Sequence, residues 1–449
     1  MKLRLLALLG IVSFRPASAE SWTALPALPR GLAASAIAVD RESRLVVAGG
    51  SHWSEGERRL AAALLRLAAD EGRREHIADL PEPRAYEPAA PPLPVNRETD
   101  AYESRDQFLR HAAAFELHKL KRQRWSHEAE ETFFAQETQE VRLRDDVVLR
   151  FRRVPGGSYI DGITPELKER VLQIPNRRGD MRRWEGMFEI DRRDRVSVPY
   201  DFFMSETIVS NAMFAFFVRK TGYKTAVSRY ETGWVVDADA QWLQGFANEW
   251  RQQLPPLSDP DHPVVQVSWF DAMAFAAWLS ERSGVVFRVP TQEEWLLAAH
   301  APNRTDVWLF PWGNELEGIG RRMNFGTAEL SAYAWIHEQL SDGHAYSSPV
   351  RAYPPNARGL HDMLGNVWVW NWTNRAQYDA RAHGDRVARP ASLDTLGAGA
   401  NEALSMSGGC YLARLTHANL HAKMSHPALD GAEDIGFRLV AVRAADSGL

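Results

Sequence analysis

One cysteine, Cys410, stands among 449 residues. A single thiol excludes any intrachain disulfide, so stability rests on core burial and on any bound metal. Long apolar runs are missing too. Leu5 to Phe14 is apolar but falls short of the ~20 residues a spanning helix needs, and no later segment reads as transmembrane. Nor is there a dominant charge. Fifty-three basic against 58 acidic residues leave a net charge of −5, which gives no electrostatic reason to expect nucleic acid. What is present, 45% hydrophobic residues with 16 tryptophans, describes a globular chain long enough for two domains, or for one large domain with an appendage.

Residues 1–19 have the pattern of a secretory signal. Lys2 and Arg4 precede the apolar run, and Ala17-Ser18-Ala19 is a small-residue cleavage site, so a mature start near Glu20 and a secreted or periplasmic location are expected. Asn303-Arg304-Thr305 and Asn371-Trp372-Thr373 are formal glycosylation sequons, common by chance.

Residues 20–80 allow two readings. Leu45 to Gly50 resembles a fragment of one kelch repeat, a strand ending in a double glycine, but no second copy follows. Alternatively, Ser54 and Glu57 form a capping box ahead of a helix over Arg58 to Asp70, giving a small α/β appendage. Residues 81–96 are a proline-rich linker, with six prolines between 81 and 94. Residues 97–146 form a helical lead-in, with one helix expected from Arg105 to Phe134. His111 and His118 share a face of it but stand roughly 10 Å apart, too far for one metal ion. The Arg-rich run 177–195 reads as a solvated loop.

From Val147 onward short strands, turns and isolated helices alternate. Val154-Pro155-Gly156-Gly157-Ser158-Tyr159 is strand then turn. Phe202 to Asn211 is a strand leading into a helix that Ser210 or Asn211 can cap. His262 to Trp269 is another strand, and Asp271 to Leu279 continues it as a helix. In Phe287-Arg288-Val289-Pro290-Thr291-Gln292-Glu293-Glu294-Trp295, Thr291 and Glu294 form a capping box. Phe310-Pro311-Trp312-Gly313-Asn314-Glu315 is a turn. The last blocks are Gly359 to Trp368, Ser407 to Ala413 and Gly436-Phe437-Arg438-Leu439-Val440.

In this order the blocks resemble the formylglycine-generating enzyme family, also called sulfatase-modifying factors, over residues 147–442. The resemblance implies an α+β fold related to C-type lectins, with little regular secondary structure, preceded here by the N-terminal appendage. It also implies oxygen-dependent oxidation of a sulfatase cysteine to formylglycine, on copper(I) held by two thiolates. Those positions fall on Ala413 and Ala418, and the family's serine position falls on Cys410. Copper(I) needs soft ligands and alanine supplies none, so neither copper nor the formylglycine reaction is expected.

Two structural calcium sites are implied as well. The first matches Asn324, Phe325, Asp342 and His344; the second matches Asp362, Gly365, Val367 and Val369, with valine where a glutamate is usual. Asn324, Asp342 and Asp362 offer the hard oxygens calcium takes. The tryptophan matching Trp368 lines the family's substrate groove. Trp368, Trp370 and Trp372 alternate along one expected strand, so they either pack in the core or form an aromatic floor. Trp368, Cys410, Arg414 and His417 are the groove candidates, and no residue is assigned a catalytic role. Thr416 to Met424 alternates polar and apolar, predicting a half-buried strand on which His417 and His421 lie about 13 Å apart and cannot share a metal.

These readings favour a secreted or periplasmic accessory protein that binds a peptide, protein or glycan. The alternatives are a divergent periplasmic oxidase or tailoring enzyme and, third, a true formylglycine-generating oxidase.

Overall fold

In the computed structural model the described residues are strands between 36 and 79, positions 112–114 and 116, and 125–174. From 194 to 449 all are described except 237–241, 245–249, 251–252, 254–255, 301–305, 331–335, 382–383, 394, 397–402 and 423. The signal-like segment, the proline-rich linker, His111, His118, positions 177–193 of the Arg-rich run and the Asn303 sequon lie outside the described residues. The chain divides into two units, 1–89 with 95–105, and 90–94 with 106–449.

In the first unit β1 (Ala36–Val39), β2 (Leu45–Ser54), β3 (Glu57–Leu67) and β4 (Arg74–Asp79) form an antiparallel sheet in sequence order. The helix expected over Arg58 to Asp70 is therefore strand β3. Its alanine- and leucine-rich run pairs with strands on both sides, Val47 opposite Leu65 and Leu64 opposite Ala78. Such pairing overrides helix propensity, which is worth only tenths of a kcal/mol per residue.

The second unit opens with helix at 112–114 and 116, then α1 (His127–Phe134). The long lead helix is thus interrupted. Ser126 is extended (φ −127°), and its Oγ caps Ala129 N. The chain continues through β5 (Thr138–Arg144), β6 (Val147–Val154), β7 (Gly157–Asp161), α2 (Pro165–Leu172), β8 (Asp194–Val198) and β9 (Phe202–Ser205). Next is α3 (Asn211–Thr221), begun by Ser210 Oγ accepting from Met213 N and ended by Gly222 in the left-handed region, φ +67°. After α4 (Ala226–Tyr230), β10 (Gly233–Val236) and β11 (Trp242–Gln244) comes α5 (Trp269–Ser283), which carries a Ser268–Asp271 capping box.

Then β12 (Val286–Arg288) delivers α6 (Gln292–Ala299). The Thr291–Glu294 capping box forms there, and Glu294 also accepts two bonds of 2.7 Å from Arg288, with both side chains fully buried. The remaining elements are β13 (Trp368–Asn374), α7 (Arg375–Asp379), β14 (Arg386–Val387), β15 (Ala403–Ser407), β16 (Met424–Pro427), β17 (Gly431–Ala432), β18 (Ile435–Gly436) and β19 (Val440–Val442).

Four small sheets result, with orders β12-β19-β9-β6-β5, β16-β15-β13-β18, β14-β8-β7 and β11-β10-β17. The first is antiparallel throughout, and Phe133, Phe151, Phe203 and Phe287 pack on it at ring distances of 5.1–6.2 Å. The second sheet positions the candidate site. Its strand β13 lies between antiparallel β15 and parallel β18, so the Gly359–Trp368 block, the Ser407–Ala413 block and the C-terminal Gly436 block meet there. Among the described residues no helix is long and apolar enough to cross a membrane.

Candidate functional site

Strand β15 releases the chain at Ser407-Gly408-Gly409-Cys410. Gly409 has φ +76°, and a Cβ there would lie 2.9 Å from the Ala418 Cβ, so only glycine lets the loop fold back this closely. Two tight turns follow. Ala413 N donates to Cys410 O at 2.8 Å, and the N–H groups of His417 and Ala418 both donate to Arg414 O, at 2.8 and 2.9 Å. Ala413 and Ala418 are buried.

The strand expected over Thr416 to Met424 is therefore a series of turns, and β16 begins only at Met424. Asn419 fixes the turns, donating from Nδ2 to Leu415 O at 2.8 Å and accepting His421 N at 2.9 Å. Three polar members of the alternation do not face water; Lys423 lies outside the described residues. His417, Asn419 and His421 are all buried. His421 Nε2 lies 2.8 Å from Trp308 O, and His417 Nδ1 lies 2.9 Å from Thr416 Oγ1. Burial, with the charge of Arg414 beside it, drives the His417 pKa down to about 3, so the ring is neutral near pH 7.

Cys410 is buried at 2% exposure, and its thiol donates to Asp434 Oδ2 at 3.2 Å. The same aspartate's carbonyl accepts Trp368 N at 2.9 Å. Cys410 and Trp368 therefore meet on Asp434, a residue the sequence reading did not single out. Its only signal was an acid directly ahead of Ile435-Gly436-Phe437-Arg438. Burial and the adjacent carboxyl push the Cys410 thiol well above its usual pKa, while burial lifts Asp434 to about 6. A thiol held protonated is neither nucleophile nor soft ligand.

The tryptophans of β13 are all buried, and every residue of that strand is. Trp370 Nε1 donates to Val267 O and Trp372 Nε1 to Ala391 O, while Trp372 packs 5.4 Å from Trp269. A register shift between Trp370 and Asn374 also breaks the strict alternation. These rings form core rather than an open floor. Of the four groove candidates, Trp368, Cys410 and His417 are buried and Arg414 is partly exposed.

The first expected calcium set is drawn together. Asp342 accepts Phe325 N on Oδ2 at 2.7 Å and His344 N on Oδ1 at 3.0 Å. Asn324 donates from Nδ2 to Tyr346 O at 2.8 Å, while its buried Oδ1 has no hydrogen-bond partner. Burial raises Asp342 to about 6, a cost that a bound cation would offset. An orphaned amide oxygen beside a desolvated carboxylate fits a hard cation.

The second set is weaker in charge. Asp362 has φ +50°; its Oδ2 accepts Arg351 N at 3.1 Å, and its Oδ1 is buried without a partner. Val367 and Val369 are buried apolar side chains that add no carboxylate. Elsewhere His127, Glu130 and Glu131 hold ligand atoms within 4.8 Å of one another, but Arg443 pairs with both glutamates and Ala444 N donates to Glu130.

A cavity of about 310 Å³ opens beside Trp308 and Trp312, against Pro354, Pro355, Leu360 and Asp362. Trp312 stacks on Phe310 at 5.1 Å and 7°, and the Arg322 guanidinium lies 5.4 Å over its ring. None of the four groove candidates lines it.

Residues 146–443 match the family model described as the sulfatase-modifying factor enzyme 1-like domain. The formylglycine-generating enzyme of Thermomonospora curvata is 32% identical over 267 residues, 54% of this chain and 82% of that protein. A mouse protein named inactive C-alpha-formylglycine-generating enzyme 2 is 30% identical over 251 residues, covering 51% and 71%. Among solved structures, PvdO from Pseudomonas aeruginosa aligns with a TM-score of 0.47 at 20% identity, over 68% of this chain and 97% of that one.

Proposed function

We propose, for a chain that belongs to the sulfatase-modifying factor enzyme 1-like family, that its domain binds a ligand or partner and does not oxidise cysteine to formylglycine. One observation carries the reading. Both positions that would supply copper thiolates are buried alanines, and the single thiol nearby is held protonated against Asp434. Relatives named inactive, at about the same identity as those named active, support it. The chemistry left at the site is recognition: backbone turns, a partly exposed Arg414 and a buried Cys410–Asp434 pair.

The segment from Lys2 to Ala19 supports export, with the mature chain starting near Glu20. A calcium ion held by Asn324, Asp342 and the carbonyls of Phe325 and His344 belongs to the same reading, as a structural ion. Copper(I) titration of the purified protein against a competing chelator tests the central point. The chelator is expected to keep all the copper; one copper(I) retained per chain would contradict the reading.

A further inference from the structure

We propose that the cavity beside Trp308 and Trp312 binds the C-terminal aromatic residue of a peptide. The proposal rests on the binding role above and names the class of ligand. At about 310 Å³ the cavity sits at the low end of the ~300–1,000 Å³ that ligand sites span, room for one residue rather than an extended chain. Trp308, Trp312, Pro354, Pro355 and Leu360 make its walls apolar. Trp312 is a fixed platform, held flat against Phe310.

Two polar features select the occupant. Arg322 is exposed, lies over Trp312 and has no ion-pair partner among the described residues. A stacked guanidinium is pre-organised for a bidentate bond to a carboxylate. Asp362 is 8% exposed and carries an oxygen with no hydrogen-bond partner. The amide N–H of a terminal residue supplies the missing donor. Asn356 is committed elsewhere, donating to Ala298 O and accepting from Arg358 N and Leu360 N, so it shapes the wall.

Calorimetric titration with N-acetyl-L-phenylalanine tests this. A charge-assisted bond worth ~1.5–3 kcal/mol predicts binding at least about tenfold tighter than for the corresponding amide, which lacks the carboxylate. Arg322→Gln, on an exposed side chain, is expected to keep the melting temperature and erase that preference. Trp312→Ala is expected to weaken both ligands. 3-Phenylpropionate, with ring and carboxylate but no amide, is expected to bind more weakly. Equal affinity for acid and amide, a preference that survives Arg322→Gln, or no binding at all would overturn the site. Equal affinity for 3-phenylpropionate would overturn the peptide assignment. Failure here leaves the copper result untouched, and copper retention leaves this titration untouched, so the two claims fail separately.

Discussion

At the scale of single residues, Asp434 sets the character of the site. Its pKa of about 6 lies above the ordinary 3.8 because the carboxyl is fully buried, and the hydrogen bond from the Cys410 thiol offsets only part of that rise. Between pH 4 and 6 the folded chain holds a proton that the unfolded chain has released. Stability from this group is therefore complete below pH 4 and is lost as pH rises to 6, by on the order of 3 kcal/mol. Asp434→Asn removes the titration. In urea unfolding at pH 4, 5, 6 and 7, the variant is expected to gain on the natural protein as pH rises through that window. Parallel curves would contradict the assignment.

Sequence alone located Cys410 and the two alanines, because motif order is a one-dimensional property. It could not locate Asp434, whose role comes from β18 lying parallel to β13. The same limit hid the cavity, which joins the Trp308–Trp312 turn to the Pro354–Leu364 segment.

At the scale of elements, the local signals that were legible are those satisfied within a few residues. Ser210 caps α3, and the Thr291–Glu294 box opens α6. Periodicity failed where burial has no preferred side. Residues 415–422 are buried throughout, so alternation there marks no face, and Asn419 bends the chain into turns. Likewise β3 reads as helix until its two neighbours are known.

Backbone approach is a stronger constraint at this scale. Gly365 has φ +75°, and a Cβ there would lie 2.1 Å from the Asn324 carbonyl oxygen, which already accepts Asn366 N at 2.9 Å. Gly365→Ala is expected to cost at least about 2 kcal/mol, since left-handed strain and a backbone clash act together. Chemical denaturation measures this, and a loss under ~0.5 kcal/mol would show that the approach is not required.

For the whole molecule, five small sheets among the described residues leave many turns to be fixed by side chains rather than by disulfides. A calcium ion at Asn324 and Asp342 would pin one such turn. Calcium in excess is expected to raise the melting temperature by several degrees, as mass action requires of an ion that binds only the folded state. A chelator should reverse the rise, and Asp342→Asn should abolish it. An unchanged melting temperature in the natural protein would remove the ion from the account.

The resemblance places the two soft ligands of the family's chemistry at positions that are here the buried Ala413 and Ala418, and alanine supplies no ligand. The most direct test is incubation of the copper-supplemented protein with a cysteine-containing sulfatase peptide and oxygen, followed by mass spectrometry of the peptide. The peptide is expected to keep its cysteine, or to form only a disulfide. Formylglycine appearing in proportion to protein added would contradict the account.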